Sequence, residues 1–514
     1  MDGSLVETYL RESGKSLSEI NTGFLAYLAS LEVVARVSPL VAKAIVQEIV
    51  DQRQNVKLIA SENYTSLSTQ CAMGNLLTDK YAEGIPYKRF YAGCDNVDLV
   101  EAYAADKACE LFGREGAAAH AYVQPHSGAD ANLVAFWAIL TTRVELPELQ
   151  KIEIKDSSEL SHEDWEKIRQ ALVGQRLLGM GLNSGGHLTH GYRKNVSARM
   201  FDAYSYGVNP ETSLLDYDEI ERQALEIKPL ILLAGYSAYP RAINFQRMRD
   251  IADKAGAVLM VDMAHFAGLV AGGVFEGEYN PIPYAHVATT TTHKTLRGPR
   301  GGMVLCTEEF AEQVDKGCPL VLGGPLPHVI AAKAICFTEA LRPEFKEYAR
   351  RVVENARALS EAFVESGQTI ITGGTDNHLV LLDVTPFGIT GRQAESAVRE
   401  CGITLNRNTI PYDQNGPWYT SGLRLGTPAV TTLGMGAAEM KQIANIMTLI
   451  LSKTTPEAAK SGKSKAKYRI EESAKQEARA RVEELLTRYP VYPEIDVEFL
   501  EKFFSAQERV AGAE

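Results

Sequence analysis

The sequence predicts an α/β protein, with a large domain built on a mostly parallel sheet covered by helices and a smaller carboxyl-terminal α+β domain. Three observations carry that expectation. Short apolar or β-branched runs at residues 229–235, 257–262, 287–292 and 303–306 have the composition of buried strands. Helices are expected between the strands up to about Ala334, the alternation that builds parallel sheets. The length, 514 residues, suits two to three domains and a large core.

Composition narrows the class. A hydrophobic content of 45% and a charged content of 23% are ordinary for a globular protein. The balance of 53 basic and 65 acidic residues, net −12, argues against nucleic acid as the main ligand. The cysteines at 71, 94, 109, 306, 318, 336 and 401 form no CxxC and no zinc spacing. Reduced thiols, no metal and a cytoplasmic location are expected. The apolar-leaning run at 24–37 is interrupted by Glu32 and Arg36, so neither a membrane span nor a signal peptide is expected.

Along the chain, residues 1–70 read as an amino-terminal arm and helix. Residues 1–37 are an amphipathic arm for a partner surface, then Ser38-Pro39 caps a helix over 40–54. Residues 71–336 form the large domain. Within it, 141–176 is charged and poor in glycine, a surface insertion whose helix has Trp165, Ile168 and Leu172 on one face. Helical text over 331–366, broken near Pro343, leads into the small domain, 337–514. Its 453–475 stretch contains a Lys-, Ala-, Ser- and Gly-rich run that reads as a mobile linker. A helix over 468–487 has Ile470, Ala474, Ala478, Val482 and Leu485 as its buried stripe.

The chemistry concentrates at strand ends. Asp262 closes one buried run, and Lys294 leaves the next beside His293, before a Gly- and Pro-forced turn. Ligands of open α/β sheets bind beyond such carboxyl ends. A desolvated lysine can become the neutral amine of a Schiff base, and a pyridoxal phosphate enzyme also needs an acid at its pyridine nitrogen. A surface lysine in a loop is the plainer alternative. Ser127-Gly128 opens a helix and offers an anion cradle or an ordinary N-cap. His187 beside paired glycines can approach a flat ligand, or is simply a satisfied loop histidine. Arg424 in a tight, small-residue strand needs a carboxylate, from the protein or from a substrate.

In order, LIASENYTS (58–66), KYAEG (80–84), VQPHSG (123–128), GGHLTHG (185–191), VDMAH (261–265), TTTTHKTLRGPRGG (289–302), TGGTDNH (372–378), SGLRLGTPA (421–429) and RYPVY (488–492) closely resemble the serine hydroxymethyltransferase family. The resemblance implies fold type I of the pyridoxal phosphate-dependent transferases and a homodimer with sites at the interface, with a tetramer of paired dimers as the alternative. It further implies that Lys294 forms the internal aldimine, Asp262 pairs with the pyridinium nitrogen and His187 stacks on the ring. His265 and Ser237 would sit near the ring hydroxyl. Ser127, Gly128 and His293 would serve the phosphate, helped by Tyr81 and Gly324 of the other subunit, and Thr291 would also contact the cofactor. Arg424 and Ser61 would take the amino acid carboxylate. Glu83, with Tyr91 beside it, would handle a proton at the serine hydroxymethyl group. Leu182, Gly186 and Asn408 match folate contacts. The sequence departs from the family pattern at Ala129, in place of a hydroxyl residue, at Phe90, in place of a tyrosine, in the 318–324 loop, and in the insertions at 141–176 and 453–475, which compact bacterial members lack. The implied reaction converts serine and tetrahydrofolate to glycine and 5,10-methylenetetrahydrofolate, with aldol cleavage, racemisation or transamination as side reactions. A threonine aldolase-like enzyme, which needs no folate, and a non-enzymatic scaffold are the rivals; the scaffold should have lost Lys294 or Asp262.

Overall fold

The structure, a computed structural model, describes residues 4–154, 156–459 and 462–511, with side chains as far as 505. Seven strands form the central sheet: β1 (His120–Tyr122), β2 (Arg176–Met180), β3 (Asp202–Tyr206), β4 (Ile231–Gly235), β5 (Val258–Asp262), β6 (Val287–Thr291) and β7 (Gly302–Cys306). Their order is β1-β7-β6-β5-β4-β2-β3. Strands β6, β5, β4, β2 and β3 run parallel. Strand β7 is antiparallel to both β6 and β1, so the sheet is mixed. Residues 292–301 are too few for a parallel crossover, which takes about a dozen residues or more, so β7 returns directly beside β6.

Alternate residues of each strand enter opposite layers, which explains the unbroken apolar runs. Leu232, Ala234, Leu259 and Val261 pack with Phe245, Met248 and Phe337. Ile231, Leu233, Val258 and Met260 pack on the other face with Phe136 and Ile139. At the end of β4, Gly235 has φ +129° and lies against the carbonyl of Asp262, where a Cβ would sit 2.1 Å from that oxygen. This close approach lets the acid at the end of β5 stand in register beside β4.

A second, antiparallel sheet joins β8 (Leu379–Asp383), β9 (Asn406–Asn408) and β10 (Gly422–Gly426) in the order β8-β10-β9. Val380, Leu382, Leu423 and Leu425 pack there with Leu359, Phe363, Ile443 and Met447. Val56–Lys57 pairs in parallel with Ile403–Thr404, and Val56 and Leu58 enter this second core. The break expected near Pro343 separates the helices Pro327–Ala340 and Pro343–Glu365.

Several elements differ from the sequence reading. The amino-terminal helices Leu5–Ser13 and Thr22–Val37 bury Leu5, Phe24 and Leu28 against Ile495 and Leu500 of their own chain. Val33, Val37 and Leu40 stay exposed. The insertion helix forms as His162–Val173 and buries Ile168, but Trp165 is exposed because that face is only partly covered. The stretch expected to be a mobile linker is an antiparallel hairpin of β11 (Thr454–Ala458) and β12 (Lys463–Ile470), apart from residues 460–461, which lie outside the described residues. Strand β12 alternates exposed and half-buried positions, and Gln393 Nε2 donates to the carbonyls of Ser464 (2.8 Å) and Lys467 (2.7 Å). Ile470 therefore belongs to a strand, and the following helix is Glu472–Arg488, with Ala474, Ala478, Val482 and Leu485 buried.

Candidate active site

The carboxyl ends of β5 and β6 bring Asp262 and Lys294 into one pocket. The Lys294 ammonium donates to Thr291 Oγ1 (3.1 Å), and its carbonyl accepts from Asn63 Nδ2 (3.0 Å). Burial pulls the Lys294 amine down to about 8; the Asp262 charge opposes this, while Arg424 and Arg300 add to it. Asp262 Oδ2 accepts from Asn132 Nδ2 (2.9 Å) and His190 Nε2 (3.2 Å), and Oδ1 from the backbone N–H of Ala264 (3.0 Å). Burial on its own raises a carboxyl pKa. Here the hydrogen bond and charge of His190, the charge of His187 and the Asn132 bond outweigh it, holding Asp262 below its ordinary range.

The partners of Asp262 are themselves fixed. Thr289 Oγ1 donates to Asn132 Oδ1 (2.5 Å), and Asn132 Nδ2 also donates to Thr189 Oγ1 (2.8 Å). The Thr189 N–H donates to His187 Nδ1 (3.2 Å), so neutral His187 carries its proton on Nε2. Burial, reinforced by His190, Lys294 and Arg424 against the pull of Asp262, lowers His187 to about 4.

Arg424, central in β10, reaches the same pocket from the second sheet. Its Nη1 donates to the carbonyl of Ser237 (2.6 Å) and its Nε to Asn406 Oδ1 (3.1 Å). Neither acceptor is charged, and among the described residues Arg424 has no carboxylate partner. Burial lowers its pKa to about 10. Ser61 follows a segment that runs along β10, where the Gly426 N–H donates to the carbonyl of Leu58 (2.8 Å). His265 is buried beside His378, with Nδ1 and Nε2 3.3 Å apart.

Ser127 caps the Gly128–Leu140 helix, accepting from the Asp130 N–H (3.2 Å) and donating to Asp130 Oδ2 (2.8 Å). A Cβ on Gly128 would come 2.7 Å from Thr291 Cγ2, so only glycine leaves this cradle open. His293 Nδ1 accepts from the Gly301 N–H (3.4 Å), and burial, with Lys294 and Arg300, lowers its pKa to about 3. His126 Nε2, next to Ser127 in the chain, is buried without a partner. A helix N-terminus, an orphan imidazole nitrogen and a nearby lysine amine fit a phosphorylated aldehyde. Ala129 adds no hydroxyl to this cradle.

Tyr81, Glu83, Tyr91 and Gly324 form a separate group. Tyr91 Oη donates to Glu83 Oε2 (3.0 Å), the Tyr81 and Tyr91 rings meet edge to face at 5.3 Å, and the Tyr81 ring lies against Gly324. Tyr81, Phe90 and Tyr91 are 60%, 68% and 47% exposed, and Glu83 is half-buried. Among the described residues, no hydrogen bond, ion pair or ring contact joins this group to Lys294, Asp262 or Arg424. The folate candidates border the Arg424 side of the Lys294 pocket, since the Ser237 N–H donates to the carbonyl of Gly185 (2.7 Å) and Asn406, two residues before Asn408, accepts from Arg424. Leu182 opens the turn after β2, the Gly186 N–H donates to the carbonyl of Gly181 (3.0 Å), and Asn408 ends β9. Their neighbours Asn183, Ser184, Thr409 and Pro411 line one cavity with Ala238 and Leu381.

The sequence reading did not single out Asn132, Thr189, His190, Asn63, Asn406 or His378. Asn63 lies inside the LIASENYTS motif, His190 and Thr189 inside GGHLTHG, and His378 closes TGGTDNH, so a signal existed for these four. Asn132 carried only its place one helical turn beyond Gly128.

A family model described as serine hydroxymethyltransferase matches residues 34–171 and 166–447. A serine hydroxymethyltransferase of Treponema pallidum is 58% identical over 506 residues, covering 98% of this chain and 87% of the relative. Those of Mycolicibacterium smegmatis and Chlamydia trachomatis serovar D are 59% and 53% identical, covering 92% and 97% of this chain and 95% and 99% of the relatives. With the motifs, the strand-end lysine and acid, and these matches in agreement, the chain belongs to the serine hydroxymethyltransferase family.

Proposed function

We propose that the Lys294 pocket is completed by the Tyr81–Glu83–Tyr91 group of a second copy, in a homodimer that can pair into a tetramer. The enzyme is a pyridoxal phosphate-dependent hydroxymethyl transferase that interconverts L-serine and tetrahydrofolate with glycine and 5,10-methylenetetrahydrofolate. When bound, the cofactor draws electrons from bonds at the amino acid α-carbon.

The chain's own residues supply the rest. Lys294, with its amine lowered to about 8, is partly neutral near pH 7 and able to attack the cofactor aldehyde. Asp262, held ionised by His190 and Asn132, would keep a proton on the pyridine nitrogen, and His187 would stack on the ring. Ser237 and His265 serve the ring hydroxyl. Ser127, Gly128 and His293 hold the phosphate together with the partner's Tyr81 and the partner's Gly324, and Thr291 adds a further cofactor contact. Arg424 and Ser61 grip the amino acid carboxylate. The partner's Glu83, braced by the partner's Tyr91, moves the proton at the serine hydroxymethyl oxygen. Leu182, Gly186 and Asn408 face the pterin. The same pocket supports slow aldol cleavage, racemisation and transamination.

The fold reads as type I, with an arm at 1–70, a large domain at 71–336 and a small domain at 337–514; two separate cores support a large and a small domain, with Phe345 and Val352 joining the first core and Val56 and Leu58 the second. No helix among the described residues is long and apolar enough to cross a membrane, and we assign the enzyme to the cytoplasm.

One observation carries the substrate assignment. A guanidinium set in a core strand, with only neutral acceptors, is poised for a carboxylate brought by a ligand. The test is serine cleavage by the purified protein with and without tetrahydrofolate. Formation of glycine and methylenetetrahydrofolate is expected; cleavage equally fast without folate would replace this reading with a threonine aldolase-like one.

A further inference from the structure

His378 belongs to none of the roles above, yet it is wholly buried beside the cofactor pocket. Its ring meets that of His265 edge to edge, with centroids 5.5 Å apart and planes 18° apart. The two rings share a single hydrogen bond, His265 Nδ1 to His378 Nε2 at 3.3 Å, while His378 Nδ1 is buried without any partner. The backbone holds both rings in place: Thr295 Oγ1 donates to the carbonyl of His265 (2.9 Å), and the Thr427 N–H donates to that of His378 (3.2 Å). Lys294 and Arg424 are the cations facing the pair, and together with burial they keep both rings neutral. One proton therefore lies between two nitrogens, and its position fixes both tautomers.

Two arrangements are available. If His265 Nδ1 donates, His378 must carry its proton on Nδ1, leaving a buried N–H with no acceptor, in the field of two cations. If His378 Nε2 donates, the partnerless Nδ1 of His378 is a bare lone pair, which that field favours. Orphaned buried N–H groups are the rarer kind of defect. The second arrangement also puts both imidazoles in the Nε2–H form that neutral histidine prefers in water. We propose that His378 is a positioning residue that donates to His265 Nδ1 and so compels His265 to present an Nε2–H donor to the pocket. The tautomer follows from the contacts alone; its use, a hydrogen bond to the ring oxygen of the cofactor, rests on the reading of His265 given above.

The test begins with the cofactor-free protein labelled with ¹⁵N in its histidines, the His265 signals being assigned by loss in His265→Asn. An Nε2–H, Nδ1-bare pattern is expected for His265, and an Nδ1–H pattern overturns the proposal. His378→Phe keeps a ring but removes the donor, so His265 should lose its single tautomer. His378→Gln, whose amide nitrogen can stand near the Nε2 position, should restore it. Pyridoxal phosphate affinity should fall roughly three- to tenfold in His378→Phe and recover in His378→Gln, the scale of one neutral hydrogen bond. Equal behaviour of the two variants contradicts positioning by donation. The expected tautomers with no change in cofactor affinity would leave His378 setting His265 but remove His265 from the ring oxygen. If neither variant folds, the wild-type ¹⁵N pattern alone decides.

Discussion

The Lys294 pocket and the Tyr81 group are built in opposite ways. Around Lys294, Asp262 has three donors, Asn132 is tied on both ends of its amide, and burial moves the pKa values of Lys294, His187 and Arg424. Tyr81, Phe90 and Tyr91 are instead 60%, 68% and 47% exposed, held within the group by the Tyr91 Oη bond to Glu83 and the Phe90 N–H bond to the Glu83 carbonyl. A cofactor that must be polarised calls for a rigid, desolvated frame. Exposed aromatics around a carboxylate make sense as a surface awaiting another copy. On the proposed reading, one protomer holds the cofactor chemistry, while the proton-handling group it carries serves its neighbour.

The largest expected effect breaks the buried half. Lys294→Ala should leave the fold intact and reduce turnover to background, and borohydride should no longer fix pyridoxal phosphate to the chain. Near-wild-type serine cleavage would remove Lys294 from its role.

Next comes the exposed half. Glu83→Gln should lower the folate-dependent rate by ~10²–10⁴-fold, the range of a general acid–base group. Cleavage of β-phenylserine, whose aldehyde leaves without folate, should fall much less, and the glycine-induced change in the cofactor spectrum should persist. Equal loss of both reactions would place Glu83 in the shared ring chemistry and blur the contrast between the two regions.

Arg424→Ala sharpens the comparison from the substrate side. A charge-assisted contact contributes about 1.5–3 kcal/mol, so serine affinity should weaken roughly ten- to hundredfold while pyridoxal phosphate stays bound. An unchanged KM for serine with a lost cofactor would contradict that role.

A smaller effect follows from pH. With Lys294 near 8, capture of pyridoxal phosphate by the cofactor-free protein should rise roughly tenfold per unit below pH 8 and level off above it. A rate still climbing through pH 10 would mean an exposed, ordinary lysine.

Much of this contrast was legible in the sequence, and the gaps have physical causes. Asp262 and Lys294 announced themselves because each follows an apolar run into polar text, the position where α/β sheets bind ligands. Their supports did not: Asn132 and His190 reach Asp262 from distant segments, and only folding shows which amide or imidazole meets which carboxylate. The direction of β7 was implicit in the short connection 292–301, but composition alone does not weigh length. The 454–470 hairpin was misjudged because Lys, Ser, Ala and Gly dominate its composition; its two-residue alternation was the better signal. The Tyr81–Tyr91 loop showed interleaved aromatics and glycines, which suit a site lining without saying whose site is lined.

The division of labour between copies is tested most directly by a hybrid dimer. Lys294→Ala and Glu83→Gln chains carrying different affinity tags would be co-expressed, and the mixed dimer isolated by sequential capture. In that dimer, one site combines the native Lys294 of one chain with the native Glu83 of the other. Folate-dependent serine cleavage should recover to about half the wild-type activity per dimer, although each parent variant is nearly inactive. Activity no greater than the mean of the two parent dimers would show that Lys294 and Glu83 act within the same protomer.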